Sequence, residues 1–99
     1  MLNINKEIEN GKAVFNLEGR LDMITAPMLE EELLASLDGV TELILDFKDL
    51  MYISSAGIRV LLTAQEALGK QGEMKLIQVN EMIRGILEMT GITHLMHVE

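Results

Sequence analysis

The sequence predicts a single α/β domain over residues 1–99: a mixed, mostly parallel sheet of about five strands, opened by an N-terminal antiparallel hairpin and covered by about three helices. Three observations predict it. The apolar pattern alternates between strand-like and helix-like spacing, in the order β-β-α-β-α-β-α-β. Strand–helix–strand units call for right-handed crossovers and parallel pairing. The first two strands are joined by only Asn10-Gly11, a tight turn whose residues both tolerate positive φ.

Each element has its own signal. Leu2, Ile4 and Ile8 mark a half-buried edge strand, which Lys6 interrupts. Residues 13–17 return from the turn with Phe15 and Leu17 on one face, and Gly19 is expected to end the strand. Thr25 reads as the N-cap of a helix over about 26–37, with Pro27 tolerated in its first turn. Leu29, Leu33 and Leu37 at i, i+4 and i+8 form its apolar stripe. Glu30, Glu31 and Glu32 read as a solvated face near the positive end of that helix, and Asp38-Gly39 closes it.

Residues 41–47 contain the unbroken run Leu43-Ile44-Leu45, the mark of a strand covered on both faces or central in a sheet. Residues 48–54 are expected to form a loop. A second helix starts at Ser55, with Ile58, Leu61, Leu62, Ala64, Ala67 and Leu68 on its apolar side, and Gly69 and Gly72 end it. Residues 74–79 form a strand. Asn80 caps a short helix over 81–89, striped by Met82, Ile83, Ile86 and Leu87. Thr90-Gly91 stops that helix, and residues 93–98 are expected to be a last strand.

Composition narrows function by exclusion. Eight Lys and Arg against sixteen Asp and Glu leave a net charge of −8, which argues against nucleic acid and against a bare anionic membrane surface. With no cysteine there is no disulfide, thiol nucleophile or thiolate metal site. No apolar run approaches the ~18–20 residues of a membrane span, and the first residues lack the apolar core of a signal peptide. A cytoplasmic protein without membrane insertion is expected. No phosphate loop, dinucleotide fingerprint or nucleophile elbow is present, so no cofactor, metal or catalytic residue is assigned. His94 and His97, three apart on a predicted strand, would face opposite sides and could not share a metal.

The segment with chemical content is Leu50-Met51-Tyr52-Ile53-Ser54-Ser55-Ala56-Gly57-Ile58. It places two serines at the start of a helix that follows a central parallel strand. Strand carboxyl ends are where open parallel sheets form sites. Helix starts offer free N–H groups and a positive dipole end that would accommodate a phosphoserine. Read locally, one serine caps the helix and the other fills a turn.

Taken together, the chain resembles the STAS domain, the fold of bacterial anti-sigma factor antagonists. Gly19-Arg20-Leu21-Asp22 with Thr25-Ala26 is similar to the family's Gly-x-Leu-Asp-x-x-Thr/Ser-Ala loop. Leu43-Ile44-Leu45-Asp46-Phe47 with Leu50 resembles its strand and turn before the phosphosite. Aligning Gly57-Ile58 on the family's Gly-Leu implies Ser55 as phosphoacceptor. Ser54 then stands where the family usually has Asp, making it a rival acceptor. Ala56 stands where Ser or Thr is frequent, and Arg59 where Gly is frequent. The resemblance implies that Asp22 and Thr25 flank the acceptor, with Asp46 and Asp49 on the strand end and loop leading to it.

It further implies a partner switch in transcription regulation. The unmodified protein binds an anti-sigma factor that is a serine kinase, phosphorylation releases it, and a phosphatase resets it. The alternative is a STAS-type binding subunit of a transport or other complex, without phosphorylation. An enzyme has no support in the residues. Met23, Met28 and Met51 lie in or beside the two loops expected to flank Ser55. They are either core fillers at element ends or, with Ala56 and Gly57, part of an adaptable docking patch.

Overall fold

The computed structural model describes residues 1–99. Its strands are β1 (Leu2–Glu9), β2 (Lys12–Leu21), β3 (Glu42–Ile53), β4 (Glu73–Ile77) and β5 (His97–Val98). Its helices are α1 (Ala26–Ala35), α2 (Ser55–Leu68) and α3 (Glu81–Thr90). The five strands form one sheet in the order β1-β2-β3-β4-β5. The β1–β2 pair is antiparallel and the other three pairs are parallel. The hairpin turn is the predicted one, with φ of 53° at Asn10 and 82° at Gly11.

The core lies on one face of the sheet. Ala13, Leu43 and Met74 stand abreast on β2, β3 and β4, as do Phe15, Leu45 and Leu76, and all six are buried. Against them pack Leu29 and Leu33 of α1, Ile58, Leu61 and Leu68 of α2, and Ile83 and Leu87 of α3. The opposite face carries Asn16, Asp46 and Lys75 among Val14 and Ile44. Lys6, on the helix side of β1, reaches across to Glu32 of α1 at 2.8 Å, so part of the acidic face is paired.

Several boundaries differ from the sequence expectation, each for an identifiable reason. Gly19 does not end β2. Its φ of +111° lets the chain continue while the Met1 carbonyl, which accepts from Arg20 N–H at 3.0 Å, passes close by. Residues 48–53 are strand, not loop. Between Asp46 and Asp49, and again between Leu50 and Tyr52, β3 carries one more residue than its partner β2. These two irregularities stretch the spacing on the core face from two residues (Leu43, Leu45, Phe47) to three (Leu50, Ile53). The alternation that identifies a strand is thereby lost.

Other differences are smaller. α1 ends at Ala35, yet Leu37 stays buried in the core beyond it, and the Leu37 and Val40 carbonyls accept from the Gln71 side chain at 2.7 and 2.8 Å. On α2, Val60 is buried, whereas Leu62 and Ala67 face outward. On α3, Met82 is exposed. Of the expected last strand only His97–Val98 pairs, while Ile92–His94 forms a 3-10 turn. His94 and His97 therefore do not share a strand, and His97 instead contacts Glu99 at 2.7 Å.

Candidate functional site

The carboxyl ends of β2 and β3 finish side by side. Leu21 pairs with Ile53, and the Ser54 N–H donates to the Leu21 carbonyl at 2.9 Å. Asp22 and Ser54, the next residue of each strand's exit, thus leave the sheet as neighbours. This is the strand edge at which open α/β sheets present sites.

The β2–α1 turn is built by Asp22 and Thr25. The Asp22 carboxylate accepts the N–H groups of Ile24 and Thr25, each at 3.0 Å. The buried Thr25 hydroxyl accepts from the Asp22 N–H at 2.9 Å and donates to the Arg20 carbonyl at 2.8 Å. Thr25 does occupy the N-cap position of α1, but its side chain makes no cap; it locks the preceding turn instead. The Thr25 N–H is the main cause that holds the Asp22 carboxyl below its ordinary range. Partial burial opposes it, and the Ile24 N–H, the Thr25 hydroxyl and the chain's amino group add to it.

A carboxyl depressed on folding stabilises the fold above its unfolded-state pKa of roughly 3.9, and this contribution fades as pH falls toward the folded value. Asp22→Asn is therefore expected to flatten the acid limb of stability. Melting temperatures measured from about pH 6 to pH 3 should fall less in the variant than in the parent. An equal fall would show that this carboxylate contributes nothing to the acid sensitivity.

The start of α2 is held differently. Ser54 is the N-cap: its hydroxyl accepts from the Gly57 N–H at a long 3.4 Å, and its side chain is half-buried. Ser55, the first residue of α2, is exposed, and its hydroxyl makes no hydrogen bond within the chain. Gly57 is buried directly on the two strand ends. A Cβ there would lie 2.7 Å from Leu21 Cγ and 2.8 Å from Ile53 Cγ1. The missing side chain lets the start of α2 pack directly on Leu21 and Ile53, at the ends of β2 and β3.

The three methionines expected near Ser55 are surface residues. Met23 is 77% exposed, Met28 44% and Met51 69%, so none of the three is a core filler. Ile24, 84% exposed beside Met23, belongs to the same apolar turn, and the sequence reading missed it. An apolar pair in a segment otherwise read as a turn was the available signal. Met23, Pro27 and Ala56 line a shallow groove of about 180 Å³ between α1 and α2, together with Glu30 and Arg59. Arg59, a departure from the pattern of the family that the sequence resembles, stands one helical turn from Ser55. Beside the same edge, the Arg20 guanidinium lies 4.4 Å from the Tyr52 ring centroid, and its Nε is 3.9 Å from Asp22 Oδ2.

Asp46 and Asp49 do not join this cluster. Both lie within β3, on the order of 25 and 15 Å of extended chain before Ser54. The Asp46 carboxylate is occupied by the Lys48 N–H at 2.9 Å and the Gln78 side-chain amide at 3.0 Å. With Asn16 and Asp49 these residues line a separate polar hollow of about 280 Å³. A wider hollow of about 660 Å³, lined by Gln65, Lys75, Leu95 and His97 among others, lies between the end of α2 and the β4–β5 edge, and contains neither serine. No group of three or more His, Asp or Glu residues is arranged to hold a metal ion. No helix is long and apolar enough to cross a membrane.

Comparison with known proteins identifies the family and the fold. The family model described as STAS domain matches residues 3–99. The chain is 38% identical over 84 residues to BtrV of Bordetella bronchiseptica, covering 83% of this chain and 72% of that one. It is 30% identical over 101 residues to the anti-sigma-B factor antagonist of Bacillus subtilis, covering 98% and 92%. Among solved structures, an anti-sigma factor antagonist from Mycobacterium paratuberculosis superposes with a TM-score of 0.91 at 25% identity, over 99% of this chain and 85% of that one.

Proposed function

The chain is a member of the STAS domain family, and from that premise we propose that it is an anti-sigma factor antagonist switched by phosphorylation of Ser55. The unmodified protein docks on an anti-sigma factor that is itself a serine kinase. Ser55 Oγ attacks the γ-phosphorus of ATP, the bond from that phosphorus to the ADP oxygen breaks, and the hydroxyl proton passes to a base of the kinase. A phosphatase hydrolyses the phosphoserine and restores the binding form.

The observation that carries this reading is the setting of Ser55. An exposed hydroxyl with no partner in the chain stands at a helix start, beside a turn that exposes Met23 and Ile24. Exposed, flexible apolar side chains suit a reversible protein contact, especially where a chain without Trp offers few rigid anchors. Ser54 is the poorer acceptor, because its hydroxyl already faces the Gly57 N–H and is half-buried. A phosphate would add about −1.5 to −2 charge at the centre of that contact, close to Asp22, where it must be desolvated or repelled. The helix start accommodates the dianion locally, so release needs no refolding.

The test is incubation with the candidate kinase and ATP, followed by mass spectrometry. One phosphate per chain, located on Ser55 and abolished in Ser55→Ala, is the expected result. Incorporation on Ser54 would move the acceptor by one residue. No incorporation with any cognate kinase would favour the alternative, a binding subunit that works without phosphorylation.

A further inference from the structure

We propose that Arg59 is the intramolecular partner of a phosphate on Ser55, so that modification withdraws this guanidinium from the docking groove as well as adding charge beside it. The proposal rests on the reading of Ser55 as phosphoacceptor. Ser55 and Arg59 are the first and fifth residues of α2, both exposed. Residues at i and i+4 lie one above the other on a helix, about 5–6 Å apart at Cβ.

Arg59 has no anionic partner in the unmodified chain. The four ion pairs of the structure, Lys6–Glu32, Arg20–Asp22, Lys75–Glu42 and His97–Glu99, leave it out. Its neighbours at three and four residues along α2 are Ser55, Ala56, Leu62 and Thr63, none of them acidic. Glu30 of α1 lines the same groove without closing an ion pair to it. The other charges near this corner are Asp22, Arg20 and the amino group of Met1, and those cluster around the end of β2.

A cation in the second turn of a helix gains nothing from the dipole of the helix start. What stabilises it is an anion four residues toward the N-terminus, which is the favourable order for such a pair. Ser55 occupies that position. A phosphate there presents three acceptor oxygens to a planar fork of donors, a match that a lysine ammonium makes only as a point charge. In the unmodified form Arg59 is the free cation of a groove lined by Met23, Pro27 and Ala56, available to a carboxylate of the partner. After modification the phosphate claims it. The partner then meets an anion and loses the cation in one event.

The experiment needs no kinase. Phosphoserine is placed at position 55 of the full chain by genetic encoding, in the parent, in Arg59→Ala and in Arg59→Lys. The second ionisation of the phosphate is followed by phosphorus NMR as pH is varied. The parent should ionise about 0.4 pH unit lower than Arg59→Ala, with Arg59→Lys between them, and the Arg59 side-chain N–H should shift on phosphate ionisation. Equal ionisation in the parent and in Arg59→Ala overturns the pairing. If the natural acceptor is not Ser55, the kinase experiment alone reports it, and this titration is unaffected.

Discussion

Leu21→Ala is expected to destabilise the domain by about 2–5 kcal/mol, because it empties a fully buried site under the start of α2. Gly57→Ala is expected to cost about 1–3 kcal/mol for the opposite reason, since its new methyl collides with Leu21 and Ile53. The two changes touch the same space. In the double variant the methyl added at position 57 moves into volume that Leu21 no longer fills, leaving only the Ile53 contact to be relieved. The double variant should therefore lose less stability than the sum of the single variants, by more than the ~0.5 kcal/mol scatter of independent sites. Urea unfolding of the four proteins measures this directly. Strict additivity would mean that α2 does not rest on Leu21 through Gly57. The outcome bears on the proposed function, because this contact seats the start of α2, which carries Ser55, on the strand ends.

Phe47→Ala is the second large effect expected, about 3–5 kcal/mol. Phe47 is fully buried on the central strand, at the core-face position where the first irregularity of β3 begins. A domain of this size is stable by roughly 5–15 kcal/mol, so one such loss consumes a large share. Met23→Ala removes a side chain of similar reach from the exposed turn and should change stability by only about 0.5 kcal/mol. A large loss in Met23→Ala, or a small one in Phe47→Ala, would contradict the division between buried core and exposed turn. The comparison also separates a binding defect from a folding defect when either variant is tested against a partner.

The parts of the fold legible in the sequence are those set by local rules. Asn10-Gly11 makes the hairpin because few other pairs accept positive φ at both positions. Asn80 caps α3 through a 2.9 Å bond to the Ile83 N–H, as its place before an apolar stripe implies. The second half of β3 was not legible, because its extra residues break the period that reveals a strand. The same irregularities hide the distance from Asp46 and Asp49 to Ser55: the residues expected to form a loop leading to Ser55 are extended chain through Ile53, and extended chain keeps both aspartates away from it.

Sequence alone determined the order of elements, the mixed sheet and the family resemblance, since periodicity, turn chemistry and motif spacing are properties of neighbours along the chain. Whether a methionine is core or surface is not such a property. Met74 is buried and Met23, Met28 and Met51 are exposed, although all are the same apolar residue at the ends of elements. Only the packing of the helices over one face of the sheet decided which of them face solvent. The same holds for Ser54 and Ser55. They are chemically identical neighbours, and the tertiary structure separates them: the extended Ser54 is turned toward the Gly57 N–H at the strand ends, while Ser55, the first residue inside the helix, projects outward.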